Sequence, residues 1–437
     1  MSNKADINSS VNSEFCMGSG IHEEHEQITA CEHTIKERQK REGYGSDVVG
    51  LPLPADSGSR YPNDAAILAA AQRVGETILG PNAQISDRAS GPNPVNFRAL
   101  AKAGLLGLTV PAEYGGLDAS GAAMRDYSEI LASYCGVTAF VQAQHFGPCR
   151  MIFKSGNDQL KRCLLPDLAA GRRMCAVSFA HLRRPGPPVL RAEPLADGSG
   201  YLLNGTTPWV TGWGLMDQVV FGATLPDERF VYVWAPGSAA DYPEVFAGIR
   251  MPEDQGRLTA SKPLALCAMN ASATVELTCE NLFVPIEHKL SESDRPTMQR
   301  NDRGGVLGAT AMPMGCTLAS VRLLAETAER RSISAVHHAA DHFAGELNTL
   351  RQTVLEWQTR TAEPEFFVNA VRLRAQVIGL AVRAAHAAVT ASSGGANSLD
   401  HPAQRLYREA MFYTIQAQTH DVMDATLSLL EGDPLSQ

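Results

Sequence analysis

Trp209 and Thr211, in the stretch YLLNGTTPWVTGWG, are the residues best placed by type and spacing to do chemistry together. On a strand, residues two apart share a face, so an indole wall and a hydroxyl would border the same space. A planar, redox-active ring needs that pairing: an aromatic surface on one side, hydrogen-bond partners at its polar edge and a dry pocket for a reactant. The plain alternative for Trp209 is a core aromatic. Gly394 and Gly395 are a second candidate, because adjacent glycines let backbone N–H groups approach a phosphate, unless they only end a helix. Metal chemistry finds less support. His22, His25 and His33 fall in a polar stretch that promises no closing geometry, and nine scattered cysteines include no C-x-x-C pair.

The elements that must carry these residues change texture along the chain. Residues 1–60 are polar, rich in Ser, Glu, Lys and Gly, and are expected to form a disordered extension. Residues 61–172 (AAILAAAQRVGETIL, FRALAKAGLLGLTVP, YSEILASYCGVTAF) place apolar side chains three and four apart, which predicts a helical domain. Residues 173–292 break into short runs rich in β-branched and aromatic residues, such as DQVVFGATL and RFVYVWAP, and predict an inserted β domain. Helical texture returns over 293–437, in segments long enough to pack as a bundle.

Composition narrows the function classes. The 437 residues carry 38 Lys and Arg against 47 Asp and Glu, a formal charge of -9, which argues against gripping nucleic acid or anionic lipid. No basic run offsets that balance. No uninterrupted apolar run is long enough to cross a bilayer, so no membrane partner is expected. The first residues, MSNKADINSSVNSEF, lack the apolar stretch of a secretory signal, which makes a reducing cytoplasm the expected compartment.

Several ordered motifs together resemble the acyl-CoA dehydrogenase family of flavoproteins. AKAGLLGLTVPAEYGG (101–116) is similar to the family's early helix and turn, and GNDQLKRCLLPDLAAG (156–171) to the helix entering its β domain. YLLNGTTPWVTGWG is similar to its "NG-x-K-x-W-I-T-N" hairpin. ATVELTCENLFVP resembles the closing strand, and GGANSLDHPAQRLYREA (394–410) the Gly-Gly turn and last bundle helices. The resemblance spans roughly residues 62–430. It implies a mainly α fold with an inserted β domain: an N-terminal helical domain, a middle β barrel and a C-terminal four-helix bundle. It also implies FAD, with FMN as the alternative. In the family the residue matching Trp209 flanks the flavin, the one matching Thr211 reaches the ring nitrogen that receives hydride, and the Thr matching Ser178 contacts the pyrimidine end. Arg331 matches an arginine that reaches a pyrophosphate, often across a subunit boundary, while Gly394, Gly395 and Thr419 match positions near the adenylate half. A homodimer or homotetramer is thereby expected, with acyl-CoA or an acyl-carrier protein supplying substrate, and an electron-acceptor flavoprotein or O₂ taking the electrons.

The sequence also departs from the family pattern where the chemistry is done. A family dehydrogenase removes an α-proton with a carboxylate in "Y-x-x-x-E-G-T"; the matching stretch is YTIQAQT, so Ala417 stands at the Glu position. The other family location for a base falls near Gly305. Asp302, Asp421 and His420 are nearby substitutes, each plainer as a helix-end or surface residue, and His145 in AQHFGP is an acid–base candidate with a structural alternative. The flavin loop "T-E-P-x-x-G-S-D" becomes SFAHLRRPGPPV, which loses hydroxyl and amide donors and brings in Arg183 and Arg184. The expected function is therefore a flavin-dependent oxidoreductase of an acyl thioester with an unusual base. The alternatives are a flavin monooxygenase, which needs no glutamate, and a scaffold subunit that has lost its chemistry.

Overall fold

The computed structural model describes residues 63–237, 243–246 and 248–432. The expected polar extension over 1–60 lies outside them. The first described elements are helices: α1 (Asp64–Val74), continuing through a π-turn into α2 (Gly80–Arg88), then α3 (Pro94–Lys102), α4 (Gly121–Tyr134), α5 (Gly136–Lys154) and α6 (Asp158–Ala170). Local chemistry sets their starts. The side chains of Asn63, Asn93, Ser120 and Asn157 each accept a hydrogen bond from a backbone N–H in the first turn, which satisfies donors that a helix leaves orphaned. α6 ends at Gly171 in the left-handed region, the usual glycine terminator.

Eight strands follow: β1 (Cys175–Ser178), β2 (Leu190–Pro194), β3 (Gly200–Val210), β4 (Gln218–Thr224), β5 (Phe230–Pro236), β6 (Arg257–Ala260), β7 (Val275–Pro285) and β8 (Lys289–Ser293). Their order is β6-β7-β3-β2-β4-β5-β8, with β1 parallel to β4. These strands form the middle β domain expected from the sequence, with β6 and β8 at the two ends of the strand order. At its centre the antiparallel half containing β3 meets the half containing β4 through one parallel register pair, Arg191 with Thr224. β4 is buried along its whole length, which matches its unbroken apolar run.

The last part is helical: α7 (Arg295–Gly304), α8 (Ala311–Arg331), α9 (Ser334–Gln358), α10 (Phe366–Ser392), α11 (Pro402–Ile415) and α12 (His420–Glu431). α8 packs against α4, α9 and α10, so it joins the N-terminal helices to the bundle. With the turn before it, Val306–Arg331 is long and apolar enough to cross a membrane, yet 67% of its most apolar stretch is buried in the protein, as in a core helix. A buried ion pair, Arg405 with Glu409 at 2.7 Å, lies on the inner face of α11.

Candidate functional site

β3 carries the first group of candidate residues, and a bulge arranges them. Thr207 pairs with Leu277 and Val210 with Val275, so three steps on β3 face two on β7. Trp209 lies within the bulge at φ 63°, a left-handed conformation that strains a bulky side chain. The indole is turned outward and is 48% exposed, while Thr207, Val210 and Thr211 around it are buried. The simple two-residue alternation expected for Trp209 and Thr211 therefore fails: the extra residue puts the ring at the surface and the hydroxyl inside.

Hydroxyls line the buried side. Ser178, at the end of β1, donates to Thr207 Oγ1 at 2.8 Å, and Thr207 donates on to the Leu277 carbonyl at 3.4 Å. Thr211 Oγ1 lies 3.0 Å from Thr274 Oγ1, which lies 2.7 Å from Ser272 Oγ. Three hydroxyls with three hydrogens make only two links among themselves, so one hydrogen is left to donate outside the triad. Thr207, Ser272 and Thr274 were not singled out in the sequence; the Thr206-Thr207 doublet beside Trp209 was the available signal.

After Ser178 the chain makes a 3₁₀ turn, Ala180–Arg183, that lies flat on β4 and β5. Gly222 permits this, since a Cβ there would meet Phe179 Cβ at 2.7 Å and Leu182 Cδ1 at 2.8 Å. His181 donates from Nε2 to the Gly222 carbonyl at 3.0 Å, and burial lowers its pKa to about 4. Arg183 grips both carboxylate oxygens of Asp302, at 2.8 Å each. Asp302 is thereby committed to an ion pair and is a poor candidate base.

Arg331 and the Gly394–Gly395 turn are brought together at the C-terminus of α10. Arg331 Nη1 donates to the Ala391 carbonyl at 2.7 Å and to Ser393 Oγ at 3.4 Å. Both glycines lie exposed in the 3₁₀ turn Ser393–Asn397. No hydrogen bond or ion pair among the described residues joins this group to the hydroxyls around Trp209.

Ala417 is exposed, at φ 49°, in the turn between α11 and α12. Beneath it stands a residue the sequence did not flag: Arg374, buried in α10, whose Nη2 donates to the Gln416 carbonyl at 2.7 Å and the Ala417 carbonyl at 3.0 Å. Desolvation lowers the Arg374 pKa to about 10, so it stays charged at neutral pH, and its buried Nε has no hydrogen-bond partner among the described residues. Gln416 also reaches the sulfur of Met312 at 3.9 Å. Thr419 caps α12 by accepting from the Val422 N–H, and His420 and Asp421 are exposed in the first turn of that helix. Gly305 ends α7 and offers no side chain.

His145 is fully buried in α5. Its Nδ1 accepts from the Cys175 N–H at 3.2 Å, which leaves Nε2 protonated and donating to the Leu168 carbonyl at 3.2 Å. Burial lowers its pKa to about 4. With both nitrogens engaged, the ring ties α5 to α6 and β1, the structural alternative.

Comparison with known proteins follows the same division. A profile for the acyl-CoA dehydrogenase N-terminal domain matches residues 62–172. The chain is 23% identical over 363 residues to a probable acyl-CoA dehydrogenase, YngJ, of Bacillus subtilis, covering 79% of this chain and 91% of that one. Butyryl-CoA dehydrogenase from Megasphaera elsdenii superimposes with a TM-score of 0.69 at 20% identity, covering 88% of this chain and 100% of the other. Dibenzothiophene monooxygenase TdsC from Paenibacillus sp. A11-2 superimposes with a TM-score of 0.66 at 17% identity, covering 84% and 97%. At these identities the structural likenesses establish the fold.

Proposed function

This chain belongs to the acyl-CoA dehydrogenase family, and on that premise we propose that it is a flavin-dependent oxidoreductase that acts on an acyl thioester. The observation that carries the reading is the Trp209 bulge: strained backbone holds an indole at the surface beside a buried row of hydroxyls. A structure that only needed a core aromatic would bury the ring and relax the backbone.

The donor set suits a flavin, with FAD the first choice and FMN, found bound to TdsC, the second. Trp209 would flank the ring. The spare hydrogen of the Thr211, Thr274 and Ser272 triad would donate to a ring nitrogen. Arg331 and the Gly394–Gly395 turn would hold phosphate groups, contributed to a second copy of the chain. That arrangement calls for a homodimer or homotetramer, for which the bundle offers an apolar groove of about 670 Å³, lined by Leu324, Val336, Phe343, Val382 and Tyr407. When bound, the flavin supplies the electron-pair acceptor, and an electron-transferring flavoprotein or O₂ would take the electrons onward.

Ala417 cannot accept a proton, Asp302 is paired with Arg183, and both nitrogens of His145 are used. The α-proton must therefore leave by a route other than the usual glutamate. The same observations favour a second reading, oxygenation by a reduced flavin, which needs no such base. Anaerobic titration with short and medium acyl thioesters separates the two. Bleaching of the flavin absorbance supports dehydrogenation; no bleaching, with substrate oxygenated when reduced protein meets O₂, supports the monooxygenase. Purified protein without flavin, and unable to take it up, would refute both.

A further inference from the structure

The sequence shows no basic run, yet folding assembles one. The turn Ala180–Arg183 and helix α7 are over 100 residues apart, and the structure packs them together. Arg183 pairs with Asp302, Arg295 donates to the Leu182 carbonyl at 3.3 Å, and Met298 clusters with Leu182 and Phe230. The turn with the residue that ends it, Arg184, and the helix with its cap, Asp294, together carry five arginines against two aspartates in a chain whose net charge is -9.

Four of the five arginines are exposed and are in no close ion pair among the described residues: Arg184, Arg295, Arg300 and Arg303. Two of them are held out by aromatic rings, Arg295 at 5.5 Å from the Phe230 centroid and Arg303 at 4.6 Å from that of Phe367. Stacking on a ring fixes a guanidinium's position and leaves its charge unneutralised.

The arginines do not converge. On a helix with 3.6 residues per turn, Arg295, Arg300 and Arg303 fall within about 140° of the circumference and spread over about 12 Å of axis. A single phosphate is gripped by cations and N–H groups aimed at one point, whereas this spread matches an acidic macromolecular face.

Position says what such a partner would bring. One side of the patch is the turn that follows Ser178, next to the Trp209 hydroxyls. On the other, the chain after α7 runs through Gly305 to Met312 in the first turn of α8, which touches Gln416 beside Ala417. We propose that α7 and the 180–184 turn are the docking surface for an acidic carrier protein, which presents its thioester-linked acyl group to the Trp209 site. The proposal rests on the acyl-thioester reading above and names the carrier.

The test uses the full-length flavin-loaded protein, a double charge reversal, Arg300→Glu with Arg303→Glu, and a fluorescently labelled acyl carrier protein bearing a butyryl-phosphopantetheine arm. Both substituted side chains are exposed, and neither makes a close ion pair among the described residues. Fluorescence anisotropy reads docking without turnover. Affinity is expected to fall at least tenfold in the variant, and in the wild type to weaken steeply as salt is raised. Butyryl-pantetheine, which needs no docking surface, should be turned over equally by both proteins. Absence of carrier binding, or binding unchanged by the reversal, overturns the proposal. So does a variant that loses turnover of butyryl-CoA alone, which would make the patch a reader of the nucleotide phosphates. Carrier binding that the reversal abolishes, with no turnover of butyryl-pantetheine by either protein, upholds docking while the acyl-thioester oxidation fails.

Discussion

Arg183 holds Asp302 by two parallel hydrogen bonds of 2.8 Å across 119 residues of sequence. That fork fastens the turn after β1 to the helix that leads into the bundle, and it occupies the carboxylate nearest in sequence to one family location for a base. The Asp302→Asn substitution should leave the rate of the reductive half-reaction within about twofold. It should lower unfolding stability by only ~1 kcal/mol or less, because both side chains are partly exposed to solvent. Stopped-flow flavin reduction checks the first and urea denaturation the second; a thousandfold loss of rate would make Asp302 the base after all.

Trp209 sits in strained backbone with half its surface exposed. Replacing it with glycine removes the left-handed strain, worth ~1 kcal/mol, and forfeits only the buried half of the ring. Trp209→Gly should therefore keep its stability within about 1 kcal/mol of wild type while losing most of its flavin, read as the ratio of 450 nm to 280 nm absorbance. Full flavin occupancy in that variant would show that the indole is no part of the binding surface.

Gly222 is where the turn carrying His181 and Arg183 lies on the sheet. A methyl group there would press on Phe179 and Leu182 at 2.7 and 2.8 Å, and overpacking of this kind costs ~1–3 kcal/mol. Gly222→Ala should lower the melting temperature, and it should also weaken docking at the adjoining arginines, because the turn must lift. Unchanged melting would mean that the turn has slack that the close contacts deny.

Three histidines, His145, His181 and His288, are buried with pKa values lowered to about 4 by desolvation. Unfolded histidine takes up a proton near pH 6.5, so below that value the unfolded chain binds more protons than the folded one. Stability from these groups is complete above about pH 6.5 and is lost as the pH falls toward 4. Each contributes ~2 kcal/mol of loss by pH 5 on the shifts given. Denaturant titrations at pH 7.5 and 5.0 should show this loss, and His145→Gln, though less stable at pH 7.5, should show a smaller drop between the two. A flat profile in the wild type would contradict the buried neutral rings.

The order of helical, β and helical segments could be read from periodicity, because Leu and Ala three and four apart and runs such as VVFGAT are local signals. The bulge at Trp209 was not readable: an extra residue on β3 is defined only against β7, over 60 positions later. Arg374 was equally hidden. In VRLRAQVIGL both Arg372 and Arg374 look like solvent-facing charges, and only the docking of the α11–α12 turn on α10 buries the second. Sequence motifs located Ser178, Thr211 and Ala417, but the partners that set their chemistry, Thr207, Thr274 and Arg374, come from other elements.

The turn at Ala417 offers the most direct test of the acyl-thioester reading. Ala417 is exposed, so a larger side chain meets no wall, and the charged guanidinium of Arg374 lies 3.0 Å from its carbonyl. A carboxylate introduced there would stand near a buried cation, which favours its ionised form and makes it a competent base. Ala417→Glu should therefore speed anaerobic flavin bleaching by butyryl- and octanoyl-thioesters, by ~10²–10⁴-fold, the usual worth of a placed general base. Arg374→Met in the same protein should erase most of that gain, because the turn loses both hydrogen bonds that fix its path. Arg374→Met alone should melt lower but keep its flavin, which separates misplacement of the base from loss of the cofactor. Rapid bleaching by the wild type would mean that another residue already takes the proton. Bleaching by neither the wild type nor Ala417→Glu, in protein that holds its flavin, would transfer the assignment to the oxygenating reading.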